Sequence, residues 1–198
     1  MNNFFYDPKK LLEPDRMILL YAQGAFPMAD ETGNINWYLP NIRTIIPLDS
    51  YNVPRSLKKF MKKSSYTFKF DEDPMSVVKE CSERKETWIN DELFSAYERL
   101  NQRGFVHSVE VYEENYLIGG LYGVAYKGAF FGESMFSRKT QASKTALVKL
   151  LEHLNQKNFD LLDVQFMTEH LKMFGAKEIS LEDFNELLIK SYDNNTIF

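Results

Sequence analysis

Three consecutive segments in the middle of the chain most constrain its fold. Residues 105–112, 116–126 and 129–136 each carry the apolar pattern of a β-strand. Only the short turns EEN (113–115) and YKG (126–128) separate them. Connections this short join antiparallel neighbours, because a parallel pair needs a crossover of a dozen or more residues. The sequence therefore predicts an antiparallel three-stranded meander.

The segments on either side of the meander predict helices packed on the same sheet. Helices are expected near 14–23, with Asp15 as a cap, and at 54–63, with Pro54 at the first position. Further helices are expected at 74–83, 91–103 and 141–157, in a short segment that ends at Gly175, and at 181–192, with Ser180 as the cap. Strands are expected at 41–49, 65–70 and 160–166. This order predicts an α+β fold with a mostly antiparallel sheet flanked by helices. Residues 1–40 are too few for a core of their own and are expected to form a small N-terminal lobe on a larger domain over 41–198.

Composition limits the cellular setting. The longest apolar runs are well short of the roughly 20 residues of a membrane helix. The start, MNNFFYDPKK, lacks the basic and apolar regions of a signal peptide. Cys81 is the only cysteine, so neither an internal disulfide nor a cysteine metal cluster is expected. We expect a soluble, cytoplasmic, monomeric protein with no membrane partner.

A net charge of −4 argues against general nucleic-acid binding but leaves room for a local basic patch. Arg55, Lys58, Lys59, Lys62 and Lys63 follow helical spacing and predict one strongly positive helix face. Such a face is ordinarily a solvated surface, although its one-sidedness favours contact with phosphates.

Polar side chains interrupt two of the apolar strand patterns. Glu133 lies in FFGESMF, and Asp163 and Gln165 lie in LLDVQF, where alternation puts both on one face. Burying such groups costs about 1–3 kcal/mol each unless they are paired. They therefore predict either a site that handles an amine and a carbonyl, or structural pairing, such as an ion pair between Glu133 and Arg138.

Leucines at helical spacing in 141–157 predict a core-facing stripe, part of which could line an apolar pocket. These are Leu147, Leu150, Leu151 and Leu154. Leu121, in GGLYGV, is a candidate for the opposite wall. Trp88 is either a core residue or a ring on which a base stacks.

Several reaction classes lack their sequence motifs. We find no P-loop, no G-x-S-x-G nucleophile elbow and no pair of histidines at metal-ligand spacing, so neither a metal nor another cofactor is predicted. The turn before the long helix, SRKTQASK (137–144), has no glycine. Acetyltransferases that bind acetyl-CoA normally carry a glycine-rich turn there, so this turn argues against an acetyl-CoA-dependent enzyme.

An ordered set of motifs resembles the leucyl/phenylalanyl-tRNA–protein transferase family over about residues 21 to 176. The motifs are YAQGAFP, WYLP, PRSLKKFMKK, TWI, HSVE, GGLYGV, GESMFSR with ASKTAL, and DVQ with the later H and FGA. The resemblance implies an acetyltransferase-like (GNAT-like) catalytic domain. It also implies transfer of Leu or Phe, and possibly Met, from charged tRNA to proteins that begin with Lys or Arg, which marks them for N-end-rule degradation. The reaction converts an ester into an amide and needs no ATP and no metal.

The resemblance also implies roles for particular residues. Asp163, Gln165 and Glu133 match the catalytic positions. Positions around the aminoacyl group are matched by Trp88, Leu121, Leu147, Leu150 and Leu154, and positions that hold the tRNA acceptor stem by Arg55, Lys58, Lys59, Lys62 and Lys63.

The N-terminal lobe departs from the family pattern. A stretch of the form GLLAxGGDL is missing before YAQGAFP, and Met28 stands where the family often has Trp. This departure leaves open the transfer of another amino acid such as Arg, and a non-catalytic tRNA- or peptide-binding module. An acyl-CoA-dependent N-acetyltransferase on the same fold is a further alternative.

Overall fold

The computed structural model describes residues 8–198, so the first seven residues of the predicted lobe lie outside the described residues. After a 3₁₀ turn at Pro8–Leu12, the elements are α1 (Pro14–Tyr21), β1 (Phe26–Ala29), β2 (Ile35–Tyr38), β3 (Ile42–Ile45), α2 (Arg55–Met61), β4 (Thr67–Phe70), α3 (Pro74–Ser82), α4 (Asp91–Gln102), β5 (Val106–Glu113), β6 (Tyr116–Tyr126), β7 (Ala129–Ser137), α5 (Ala142–Gln156), β8 (Leu161–Gln165), α6 (Glu169–Lys172), β9 (Lys177–Ser180) and α7 (Leu181–Ser191).

In the described part of the chain, seven strands form the main sheet in the order β4-β5-β6-β7-β8-β3-β9. The meander β5-β6-β7 is antiparallel, which confirms the prediction from the two short turns. The pair β7 and β8 is parallel, and α5 provides the crossover that this pair requires. The α+β class and the mostly antiparallel sheet with flanking helices are confirmed.

Helices cover both faces of the sheet and form two apolar clusters. On one face, Val77 of α3 and Leu93 of α4 pack with Phe131 of β7. On the other face, Leu151 of α5 packs with Leu162 of β8. The leucine stripe of α5 is therefore core-facing, as its helical spacing predicts.

The N-terminal region joins the first of these clusters. Met17 and Tyr21 of α1 are fully buried there, and β1 and β2 form a separate two-stranded hairpin. Strands β1, β2 and β9 were not predicted: β1 contains Pro27, which is unfavourable in a strand, and β9 has Ile179 as its only apolar residue. A boundary between a lobe and a domain at residue 40 stays a prediction.

Helix ends agree with the sequence in part. Asp183 N–H donates to Ser180 Oγ at 3.0 Å, which confirms the predicted cap of α7. Asp15 does not cap α1; it lies in the first turn, and the cap position is Glu13, whose side chain makes no capping bond. Pro54 occupies the cap position of α2 instead of its first turn. None of the helices within residues 8–198 has the length and apolarity needed to cross a bilayer.

Candidate active site

A cavity opens where strands β7 and β8 separate. The two strands pair over only three positions, from Ala129 with Leu161 to Phe131 with Asp163. Beyond Phe131 the strands diverge, and a cavity of about 420 Å³ lies in the gap. Side chains from both faces of the sheet line it, because the gap interrupts the sheet itself.

A β-bulge at this gap determines where Glu133 points. Gly123 of β6 pairs with Gly132, whereas the next residue, Tyr122, pairs with Ser134. Glu133 is therefore the extra residue of the bulge and lies in the cavity wall. Alternation along β7 alone cannot predict this orientation.

Glu133 is held by three hydrogen bonds in a nearly dry site. Tyr21 Oη and Gln165 Nε2 donate to Glu133 Oε1 at 2.9 and 3.2 Å, and Tyr97 Oη donates to Oε2 at 2.8 Å. Burial raises the pKa of the Glu133 carboxyl to about 7, and the charge of Asp163 also raises it. The hydrogen bonds from the two tyrosines and Gln165 oppose this rise. The carboxyl can therefore take up or release a proton near neutral pH.

This raised pKa makes folding stability depend on pH. The folded protein holds the Glu133 proton up to a pH of about 7, whereas the ordinary value is 4.5. Between these values the folded state binds more protons than the unfolded state, so stability falls as pH rises, by about 3 kcal/mol in total. As pH rises through this range, we expect the free energy of unfolding of the wild type to fall by about 3 kcal/mol more than that of Glu133→Gln. Urea unfolding between about pH 4 and about pH 8 measures it.

The exposed Glu178 provides a matched control for this measurement. The pH profile of Glu178→Gln should run parallel to that of the wild type. A parallel profile for Glu133→Gln as well would contradict the raised pKa.

Asp163 does not reach the cavity; it forms a fully buried ion pair with Arg43. Arg43 Nε donates to Asp163 Oδ1 at 2.9 Å and Nη2 donates to Oδ2 at 2.5 Å, and both side chains are 0% exposed. The guanidinium lies between the rings of Phe26 and Phe184, 4.6 Å from each centroid. Asp163 Oδ1 also accepts from the backbone N–H of Gln165 at 2.9 Å.

Gln165 has a left-handed backbone, with φ of 64°. A residue with a Cβ adopts this conformation at a cost of about 1–2 kcal/mol, so the surrounding contacts must stabilise it. Its hydrogen bond to Asp163 is one such contact. The conformation directs the Gln165 side chain to the cavity wall, where it bonds Glu133.

Most of the predicted aminoacyl positions lie around the cavity. Leu121, Leu147, Leu150 and Trp88 line it. Leu154 does not; it is fully buried in the core farther along α5. Together with Leu162, Val164 and Leu171, the three lining leucines give the cavity an apolar compartment between the sheet and α5.

The predicted basic face is a continuous exposed surface at α2 and the two residues after it. Arg55, Lys58, Lys59, Lys62 and Lys63 are all exposed. Within residues 8–198, none of the five forms an ion pair with a carboxylate. Their charge is therefore available to an anionic partner.

Sequence reasoning missed Arg43, Tyr21 and Tyr97. Arg43 carried a signal, since it is a charged residue inside the apolar strand NIRTIIPLD. Tyr97 carried none, because it lies on the buried face of α4 like an ordinary core residue. The suggested pair of Glu133 with Arg138 is wrong, since Arg138 pairs with Glu80 instead. No group of three or more His, Cys, Asp or Glu residues suited to a metal ion occurs in residues 8–198.

Comparison with known proteins identifies the family. The family profile described as leucyl/phenylalanyl-tRNA protein transferase matches residues 45–189, and the profile of its N-terminal domain matches residues 11–41. The chain belongs to this family. Proteins named leucyl/phenylalanyl-tRNA–protein transferase are 43% identical in Salinibacter ruber, covering 92% of this chain and 81% of that protein, and 45% identical in Herpetosiphon aurantiacus, covering 96% and 99%. The chain is therefore an aminoacyltransferase.

Similarity to solved structures is weaker. A conserved protein of unknown function from Staphylococcus epidermidis is 7% identical, with a TM-score of 0.44, over 70% of this chain and 57% of that one. L-PGS from Bacillus licheniformis is 14% identical, with a TM-score of 0.43, over 81% and 55%. Similarity of this size supports no conclusion about this chain.

Proposed function

We propose that the chain transfers leucine or phenylalanine from charged tRNA to the amino group of proteins that begin with Lys or Arg, and so marks them for N-end-rule degradation. The observation that carries this proposal is the cavity in the gap between β7 and β8. It combines an apolar compartment with a polar wall formed by Glu133 and Gln165.

The apolar compartment suits the aminoacyl side chain. Leu121, Leu147 and Leu150 would contact a leucyl or phenylalanyl side chain, whose burial is favourable by about 1.5–3 kcal/mol. A guanidinium in this compartment would lose its water without a partner. This difference favours Leu and Phe over Arg as the transferred residue.

The polar wall suits the transfer step. The acceptor amine attacks the ester carbonyl, the amine loses a proton, and the ester bond breaks to release the tRNA 3′ oxygen, which takes up a proton. Ionised Glu133, whose pKa is about 7, can accept the amine proton at neutral pH. The Gln165 carboxamide can orient the amine or donate to the developing oxyanion. Asp163 acts through Gln165, because its carboxylate is bonded to Arg43 and to the Gln165 backbone.

The exposed basic face of α2 suits the tRNA acceptor stem. We expect Lys59→Glu combined with Lys62→Glu to weaken binding of charged tRNA and to lower the slope of log affinity against log salt by about 2, one unit per lost phosphate contact. Binding titrations at several salt concentrations measure the slope. Lys177→Glu with Lys190→Glu makes the same change in net charge at exposed lysines outside α2. Equal slopes for the two double variants would remove the basic face from tRNA binding.

The proposed fold type, cellular location and oligomeric state rest on the family resemblance and on the strand pairing of the main sheet. The separation of parallel strands β7 and β8 supports an acetyltransferase-like fold for the larger domain. Action as a cytoplasmic monomer without a cofactor completes the proposal.

Transfer of labelled Leu, Phe or Arg from charged tRNA to proteins beginning with Lys, Arg, Asp or Glu tests the function. Transfer of Leu or Phe to Lys or Arg is expected. Arg transfer to an acidic start would retain the chemistry but overturn the assignment of the apolar compartment. Acetylation by acetyl-CoA without any of these transfers would favour the acetyltransferase alternative, and tRNA binding without turnover would favour the binding module.

A further inference from the structure

Arg84 lies at the edge of the cavity, and the proposed mechanism assigns it no role. It belongs to the connection between α3 and α4 and is among the residues that line the cavity. Its Nη1 donates to the backbone carbonyl of Met135 at 2.9 Å. Met135 lies in the part of β7 that no longer pairs with β8. The hydrogen bond therefore holds the guanidinium beside the gap between the two strands.

Among the described residues, the positive charge of Arg84 has no acidic partner. Within residues 8–198, no carboxylate lies within ion-pair distance of Arg84, whereas Arg138 pairs with Glu80. The Arg84 side chain is exposed, and the bond to Met135 uses only one of its five N–H groups. A guanidinium held at one nitrogen and free at the others is suited to bind a phosphate through two parallel hydrogen bonds.

Trp88 lines the same cavity, and its position indicates which phosphate of the tRNA Arg84 would contact. If the aminoacyl group fills the apolar compartment, the nucleoside esterified to it lies at the cavity opening, where a ring such as Trp88 can stack on its base. The phosphate on the 5′ side of this nucleoside is the anion covalently closest to the cavity. We propose that Arg84 binds this phosphate, which links the last two nucleotides of the charged tRNA. The inference rests on the proposed function and adds a donor contact that is separate from the basic face of α2.

Two inert analogues of the donor test the contact. Both carry leucine on the 3′ position of adenosine through an amide in place of the ester, so neither can transfer it; only one has a 5′-phosphate. Calorimetric titration gives the Kd of each for the wild type, Arg84→Gln and Arg103→Gln. Arg103 is an exposed arginine paired with Asp15 and does not line the cavity. We expect the wild type and Arg103→Gln to bind the phosphorylated analogue about tenfold more tightly than the analogue without the phosphate. Arg84→Gln should bind the two analogues equally.

The outcomes separate this contact from the function itself. A wild type that does not distinguish the two analogues overturns the contact, and so does an Arg84→Gln variant that keeps the preference or weakens both analogues equally. Transfer from charged tRNA is measured separately with the wild type. Its absence overturns the proposed function, whereas a retained phosphate preference would still support the site.

Discussion

Asp163→Ala is expected to destabilise the protein by about 3–5 kcal/mol and to lower the transfer rate by up to about 10²–10³-fold, the loss expected for Gln165 itself. The loss of stability follows from Arg43, which would keep its charge at 0% exposure without a carboxylate partner. The loss of transfer follows from Gln165, whose backbone N–H would lose its acceptor. Urea unfolding and a transfer assay under conditions where the variant is folded measure the two effects.

Glu80→Ala provides the matched control, because it removes the partner of Arg138 in an exposed pair. Its cost should be about 0–1 kcal/mol, with transfer retained. Binding of charged tRNA by the folded Asp163→Ala protein should persist, since the basic face of α2 is unchanged. Full transfer by Asp163→Ala would contradict a positioning role for the Arg43–Asp163 pair.

Removing the Gln165 side chain is expected to lower the transfer rate by about 10²–10³-fold, which is typical for the loss of one donor to a developing oxyanion. Gln165→Gly and Gln165→Ala both remove the carboxamide, but only glycine adopts φ of 64° without strain. We therefore expect both variants to lose transfer by this factor. Because Gln and Ala carry the same backbone strain and Gly carries none, the Gly variant should be more stable than the Ala variant by roughly 1–2 kcal/mol. Single-turnover kinetics with charged tRNA and urea unfolding measure these effects.

Asn158→Gly tests the backbone effect alone. Asn158 has φ of 59° and lies exposed after α5, away from the cavity lining. This variant should keep its transfer rate. If Gln165→Gly transferred at the wild-type rate, the carboxamide would have no part in the reaction.

The elements that local sequence determines were predicted well. The meander follows from two turns too short for any other connection, and α7 follows from Ser180 and Asp183 at capping distance. Strands β1 and β9 were missed because their sequences lack a strand pattern: β1 contains Pro27, and β9 has Ile179 as its only apolar residue. Their hydrogen bonds come from β2 and β3, and this pairing is visible only in the tertiary structure. Leu154 shows the same limit in a helix, since helical spacing predicts a shared face but not where a cavity ends.

The sequence alone determined that Glu133, Asp163 and Gln165 are polar groups inside buried strands, and its ordered motifs determined the family. Tertiary structure decided what each group contacts. The bulge in β7 directs Glu133 into the cavity, and Arg43, 120 residues from Asp163 in the chain, takes up that carboxylate. The physical reason is that pKa values, ion pairs and left-handed backbones depend on groups distant in sequence, which local patterns cannot encode.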